Sequence, residues 1–261
     1  MDSNISTKNG SREKMRWFLP TCQSTQDSLR GLLEAEGETL PEGFRVVAGF
    51  QESGRGQRGA VWFSEPGQNL LLSFFYRPEG VPPAYAFWIS AAAALALTEV
   101  LGRYVSGVQI KWPNDVLAGG RKLAGILTEI QSAGGSVQCS LTGIGLNVNA
   151  EYPFPGATSL KKETGHTHDL QQLEDELAGA LDRAMEQLRN RGWAWIRNAY
   201  LGQLAGLGLY ATYALNGQGG ELFLAMLKTV APSGRLVLHT SRGEQVYDVK
   251  EIRLCNPEAG T

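Results

Sequence analysis

The sequence predicts an α+β chain, in which a larger part mixing strands and helices precedes a small all-β part. Three observations carry this. Strand-like runs such as Asn69–Tyr76 (NLLLSFFY) lie among helical patterns as distinct as Asp169–Arg189, where Leu170, Leu173, Leu177, Ala180 and Leu181 share one face. After Tyr200 the texture shifts to short strands separated by glycine-containing turns. The length, 261 residues with 43% hydrophobic, allows one large domain and one small one.

The elements follow in order. Residues 1–14 read as a disordered tail, 15–206 as the main domain and 207–256 as the small one. Met15–Leu19 is a short strand. A capping-box-like start at Ser24 to Asp27 opens a helix marked by Leu29, Leu32 and Leu33, which the glycines and proline around Gly37–Gly43 end. Phe44–Gln51 is strand-like and leads into a glycine-rich loop, Ser53–Gly59. A long helix runs from about Pro83 to Arg103. Strands follow at Val108–Trp112, Val116–Ala118 and Lys122–Ile130, the last two joined by a Gly119–Gly120 turn, and then at Val137–Val148. Tyr152–Gly165 reads as a loop. The small domain takes Leu209–Leu215, Leu222–Val230, Arg235–His239 and Val246–Leu254 as strands.

Charge and composition narrow the function. A net charge of −2 offers no basic field for nucleic acid. Cys22, Cys139 and Cys255 are odd in number and widely spaced, which argues against a disulfide framework or zinc site and fits a reducing cytoplasm. His166, His168 and His239 show no metal-ligand spacing. The N-terminus lacks a signal-peptide core. Ala84–Leu101 approaches a membrane span in length, but Ser90, Thr98 and Glu99 interrupt it and a buried core helix is the better reading.

Three segments are candidates for chemistry. In Gln51–Gly59 (QESGRGQRG) glycines alternate with Arg55 and Arg58. Backbone N–H groups there can turn inward as an anion nest, and the guanidinium forks suit phosphate and carboxylate; a solvated loop is the bland alternative. In Lys111–Asp115 (KWPND) Pro113 exposes Asn114 and Asp115 at a strand end. Lys122, in RKLAG just beyond, is either a strand-end surface lysine or a charge aimed into a site. In Thr142–Asn149 (TGIGLNVN) two glycines let a ligand or another backbone lie flat on a strand, unless they mark a bulge.

Taken in order, Ser24-Thr25-Gln26, QESGRGQRG, WFSEPGQNL, KWPND, RKLAGILTE and GIGLNVN resemble the catalytic domain of biotin protein ligases, from about Met15 to Tyr200. The resemblance implies a class II synthetase-like mixed sheet packed with helices, then a small C-terminal β-barrel. It implies that biotin is held by Ser24, Thr25, Gln51, Gly54, Arg55, Lys122, Gly125, Leu127, Gly143 and Gly145, and ATP by Arg55, Arg58, Trp62, Asn69, Asn114, Asp115, Lys122 and Asn147. Lys122, Arg58, Lys111 and Asp115 would serve the reaction, with a magnesium ion whose ligands the sequence does not identify. Biotin's carboxylate would attack the α-phosphate of ATP to give biotinyl-5′-AMP, which a lysine of a biotin carboxyl carrier protein would then open. The glycine-rich loop would close over that labile intermediate.

This sequence departs from the family pattern at Gln57, where several members carry arginine, and at Ala60, where some carry another basic residue. Only 14 residues precede the first strand, too few for the winged helix-turn-helix of bifunctional members, so no DNA partner and no membrane are expected. A homodimer is compatible with the sequence. The competing readings are a lipoate–protein ligase or octanoyltransferase of the same superfamily, a biotin-sensing repressor, and an inactive biotin-binding module.

Overall fold

A computed structural model describes residues 15–151, 156–216 and 220–255, the side chains of Glu38 and Arg58 excepted. The expected tail, residues 1–14, lies outside the described residues. Seven strands form the main sheet: β1 (Arg16–Leu19), β2 (Arg45–Ala48), β3 (Asn69–Tyr76), β4 (Val108–Lys111), β5 (Asp115–Ala118), β6 (Arg121–Ala133) and β7 (Ser136–Asn147). Their spatial order is β1-β2-β3-β7-β6-β5-β4. β1 runs parallel to β2, and every other pairing is antiparallel, so the sheet is mixed.

Among the described residues the α-helices are α1 (Thr25–Glu36), α2 (Phe87–Leu101), α3 (Leu160–Thr164), α4 (Leu170–Arg191) and α5 (Trp193–Gly202). Side chains alternate across the central strands, and the two faces differ in kind. Leu70, Leu72, Phe74 and Tyr76 of β3 share the main core with Ile144 and Leu146 of β7 and with α2, α4 and α5. Phe75 and Leu141 point the other way, to a smaller cluster with Leu29 of α1. Ser73, Gly143 and Gly145 stand farther along that second face, and a cleft lies there.

The apolar run at Ala84–Leu101 enters the core. A short 3-10 turn, Pro83–Tyr85, precedes α2, whose Ile89, Ala93 and Leu97 are fully buried. α1 starts where expected, because the Ser24 hydroxyl accepts from Gln26 N–H. Asp27 does not complete a capping box; it pairs with Arg30 and Arg55 instead. α4 is capped by Asp169, which accepts from the N–H groups of Gln171 and Gln172. Beneath it, buried Glu174 receives both Arg16 and Arg45, tying α4 to β1 and β2.

Several expectations needed correction. The stretch read as a loop from Tyr152 contains α3, started by Ser159, which accepts from Lys162 N–H, and ended by Gly165 at φ 81°; residues 152–155 are outside the described residues. α5 gave no helical signal of its own because it is only ten residues long and follows α4 after a single glycine. The strand read as Val246–Leu254 is two strands. Asp248 turns the chain between them: its carboxylate accepts from Lys250 N–H, and its carbonyl accepts from Glu251 N–H.

Those two strands belong to a second, antiparallel sheet: β8 (Tyr210–Leu215), β9 (Leu222–Val230), β10 (Leu236–Thr240), β11 (Gly243–Tyr247) and β12 (Ile252–Leu254). The order β11-β10-β9-β8-β12 leaves β11 and β12 as separate edges, so among the described residues the sheet is open rather than the closed barrel expected. It is nonetheless not flat. A flat sheet would set its outer strands about 19 Å apart at ~4.8 Å per gap. The five steps from Tyr247 to Ile252 reach at most about 18 Å even fully extended.

Candidate functional site

The cleft, about 750 Å³ counting the space open to solvent, gathers most of the residues singled out in the sequence: Ser24, Thr25, Gln51, Arg55, Trp62, Asn114, Asp115, Lys122, Gly125, Leu127, Gly143 and Gly145. Its three walls have different chemistry.

One wall is polar, neutral and buried. Gln51 Oε1 accepts from Thr25 N–H at 2.7 Å, satisfying a donor that the first turn of α1 would otherwise leave unpaired. It also lies 3.0 Å from Thr25 Oγ1, which is 2.9 Å from Ser73 Oγ; Ser73 Oγ lies 2.9 Å from Gln26 Oε1. Gln26 Nε2 then donates to Leu141 O at 2.9 Å. Two hydroxyl protons serve three contacts, so the hydroxyls can redirect toward a ligand without orphaning the whole chain. Gln26 and Ser73 were not among the residues selected from sequence. Each carried a signal: Gln26 follows the Ser-Thr pair, and Ser73 is the one polar residue inside NLLLSFFY, past Asn69.

The floor is made of glycine. Gly125 and Gly145 face each other across β6 and β7, and Leu127 faces Gly143. The Trp62 indole lies on this pair. A Cβ on Gly145 would fall 2.3 Å from Trp62 Cε2, and one on Gly125 2.9 Å from Cζ3. Gly143 likewise makes room for Gln26 Oε1, at 2.8 Å. The Trp62 Nε1 is buried without a partner. Gly54 does not line the cleft but sits behind it, where a side chain would strike Trp62 O at 2.5 Å.

The third wall is charged. Lys122 Nζ is 2.7 Å from Asp115 Oδ1 and 5.4 Å from the Trp62 ring centroid. A bulge between β5 and β6 accounts for its direction. Val116 pairs with Ala124 but Leu117 pairs with Lys122, so Leu123 is skipped; Leu123 and Ala124 both enter the core, and Lys122 is free to serve the cleft. Asn114, at the tip of the β4–β5 hairpin, donates to Ile126 O at 2.7 Å and holds the tip on β6.

Arg55 bridges the neck of the glycine-rich loop. One nitrogen is 2.5 Å from Asp27 Oδ1 on α1, and another meets Glu129 on β6. Gln57 opens a 3-10 turn, Gln57–Gly59; the Arg58 side chain lies outside the described residues. Lys111 does not line this cleft. It lines an adjoining one of about 980 Å³, which shares Gln57, Asn114 and Asp115 with the first and is closed by Tyr213, Ile252 and Arg253 of the second sheet. Asn69 and Asn147 pair across β3 and β7, two residues beyond Gly145; Asn147 donates to Thr158 O, and its own amide oxygen is buried without a partner.

Comparison with known proteins agrees with this arrangement. The Biotin/lipoate A/B protein ligase family matches residues 19–147. The biotin--[acetyl-CoA-carboxylase] ligase of Paracoccus denitrificans is 38% identical over 220 residues, which is 79% of this chain and 88% of that protein. The chain belongs to the biotin protein ligases. Bifunctional ligase/repressor BirA of Bacillus subtilis is 30% identical over 87% of this chain and 69% of its own length. Among solved structures, the biotin protein ligase of Aquifex aeolicus in complex with biotin and ATP superposes with a TM-score of 0.75 at 23% identity, covering 93% of this chain and 99% of that one. That likeness establishes the ligase fold.

Cys22 stands beside the polar wall, its backbone bridged to Gln51. Burial, with Asp27 and Glu52 nearby, pushes its thiol above the usual range despite a hydrogen bond with Ser28.

Proposed function

We propose that the chain joins biotin to ATP as biotinyl-5′-AMP and passes the biotinyl group to a lysine of a biotin carboxyl carrier protein. The observation that carries this is the pairing of a neutral, buried hydrogen-bonding wall with a charged wall across one glycine floor. Biotin has the same division: a cyclic urea that both donates and accepts, and a carboxylate at the far end of an apolar chain. Lipoate offers a dithiolane with neither N–H nor C=O, and would leave the Thr25–Ser73–Gln26 wall without a matching partner.

In the first step a biotin carboxylate oxygen bonds to the α-phosphorus as the bond to pyrophosphate breaks. Two anions must meet, so positive charge at the reacting atoms lowers the barrier; Lys122, aimed by Asp115, stands where it can supply it. In our reading Ser24, Thr25 and Gln51 hold the ureido ring. Gly125, Leu127, Gly143 and Gly145 line its pocket, and Trp62, which rests on Gly125 and Gly145 in this structure, leaves that floor to offer an aromatic face to adenine. The buried oxygen of Asn147 is an acceptor suited to adenine's amino group. Arg58 and Lys111 add charge toward the phosphates.

Among the described residues no group of three or more His, Cys, Asp or Glu side chains could cage a metal. This fits magnesium arriving on the triphosphate, where Asp115 and Asn114 of the cleft would offer it oxygen donors, since that ion is commonly held by phosphates and one or two carboxylates. Bound there it would neutralise phosphate charge. In the second step the uncharged acceptor amine attacks the acyl carbon, the bond to the AMP oxygen breaks, and the amine's remaining extra proton goes to solvent.

Biotin-dependent exchange of labelled pyrophosphate into ATP, with magnesium and no carrier, is the expected result. Exchange supported by lipoate and not by biotin would move the chain to the lipoate reading. No exchange with either would end the adenylation reading.

A further inference from the structure

The KWPND tip is held by the second sheet as well as by its own strands. Trp112 Nε1 donates to Gly234 O at 2.9 Å, in the turn between β9 and β10. The same turn is fixed from another side, where Trp88 Nε1 donates to Pro232 O at 2.6 Å. Gly234 sits so close to α2 that a Cβ there would fall 2.2 Å from Phe87 Cγ, at a φ of +85°. The edge of β4 is gripped too: Ile110 N–H donates to Gln203 O and Ala205 N–H donates to Ile110 O, in the segment leading to the second sheet.

We infer that Trp112 is a positioning residue, through which the β9–β10 turn of the second sheet sets the catalytic tip. The chain of contacts is short. The turn holds the Trp112 indole; two residues on, Asn114 exchanges hydrogen bonds with Ile126, at 2.7 Å through its side chain and 3.0 Å through its backbone oxygen. The next residue, Asp115, meets Lys122 at 2.7 Å. A shift of about 1 Å at reacting groups costs rate far more than stability. The second sheet therefore acts on the adenylation chemistry without itself touching the polar wall where we place the ureido ring.

This rests on the ligase reading, and the test separates the two. Trp112→Phe keeps a ring and removes the N–H. Trp88→Phe removes a second bond to the same turn but leaves the Trp112 bond and the seat of Gly234 on Phe87 in place. Trp88 is fully buried and Trp112 half-buried, so Trp88→Phe is expected to lose the more stability. Only Trp112→Phe is expected to lower kcat for biotin-dependent exchange, about 10-fold, with the KM for biotin unchanged. Amide hydrogen exchange at Ile126, whose N–H donates to Asn114 O, is expected to quicken about 10-fold in Trp112→Phe and not in Trp88→Phe. Equal behaviour of the two variants in kcat and in Ile126 exchange overturns the inference. If the parent shows no biotin-dependent exchange, the ligase reading fails, and the Ile126 comparison still decides whether Trp112 sets the tip. If Trp112→Phe does not fold, benzothienylalanine placed at position 112 keeps the bicycle and replaces the N–H by sulfur, and the same two readouts apply.

Discussion

Replacing Gly145 by alanine probes the central feature of the cleft, the indole resting on glycine. The added methyl would lie 2.3, 2.6 and 2.7 Å from three atoms of the Trp62 ring, against an ordinary contact of about 3.4–4 Å, so the ring must retreat by roughly 1 Å or more. Overpacking of this kind costs about 1–3 kcal/mol in a core. Trp62 is half-buried on a loop that can yield, which places the cost at the lower end, about 1–2 kcal/mol. With Trp62→Ala in place the obstruction is gone. Alanine then replaces a glycine inside a strand, which should gain about 0.5–1 kcal/mol. The two substitutions should therefore couple by about 1.5–3 kcal/mol in a double-mutant cycle read by urea unfolding. If Gly145→Ala costs the same in both backgrounds to within about 0.5 kcal/mol, the ring does not occupy the floor and the explanation of the glycine pair is wrong.

Other perturbations separate chemistry from structure. Lys122→Ala removes a charge-assisted contact of roughly 1.5–3 kcal/mol, so pyrophosphate exchange should fall about 10- to 150-fold in a protein that still folds; a normal rate would make Lys122 a surface lysine. Glu174→Ala leaves the buried Arg45 guanidinium with only the longer, exposed contact to Asp175 at 3.3 Å, and should cost about 3 kcal/mol of stability by urea unfolding, while a loss below about 1 kcal/mol would mean that Asp175 alone suffices. The Cys22 thiol is pushed up, chiefly by burial, so less of it is thiolate at pH 8 than for a free cysteine. Its alkylation, mapped by peptide mass, should be slower than that of a model thiol at pH 8 and keep rising at higher pH; a plateau near pH 8 would contradict the shift.

Much of this was legible in the sequence because the patterns were local. Ser24 caps α1 by its own hydroxyl, Gly119 and Gly120 turn with positive φ, and NLLLSFFY, read as a strand from its aromatic and aliphatic residues, is one, buried along its whole length. What stayed hidden depends on contacts between distant segments. Nothing near Lys122 in the chain reveals the bulge that aims it, because the bulge is a register shift against β5. Nothing near Trp112 reveals Gly234, which is 122 positions away. Trp62 could be matched to a family position, yet its berth on Gly125 and Gly145 appears only once β6 and β7 are paired. The separation of β11 from β12 was missed because Val246–Leu254 carries strand formers at both ends and the Asp248 turn works through an aspartate rather than glycine or proline.

The glycines of β6 and β7 also explain why the cleft lies on one face of the sheet and not the other. On the core face these strands carry Ile126, Ile144 and Leu146 against α2, where large side chains fill the layer. On the opposite face α1 covers only the part near Leu29, Phe75 and Leu141. Beyond the N-terminus of α1 no helix among the described residues comes down to fill the space, and the sheet offers the glycines Gly125, Gly143 and Gly145 there. The loop that carries Trp62 fills it with one ring, and Arg55 fastens that loop to α1 and β6 through two carboxylates. These are exposed ion pairs, worth little in water and weakened by salt. The covering is thus held by weak contacts over a floor held by strong ones, and a ligand that pairs with Arg55 or takes the place of the ring can open the cleft without disturbing the sheet beneath it.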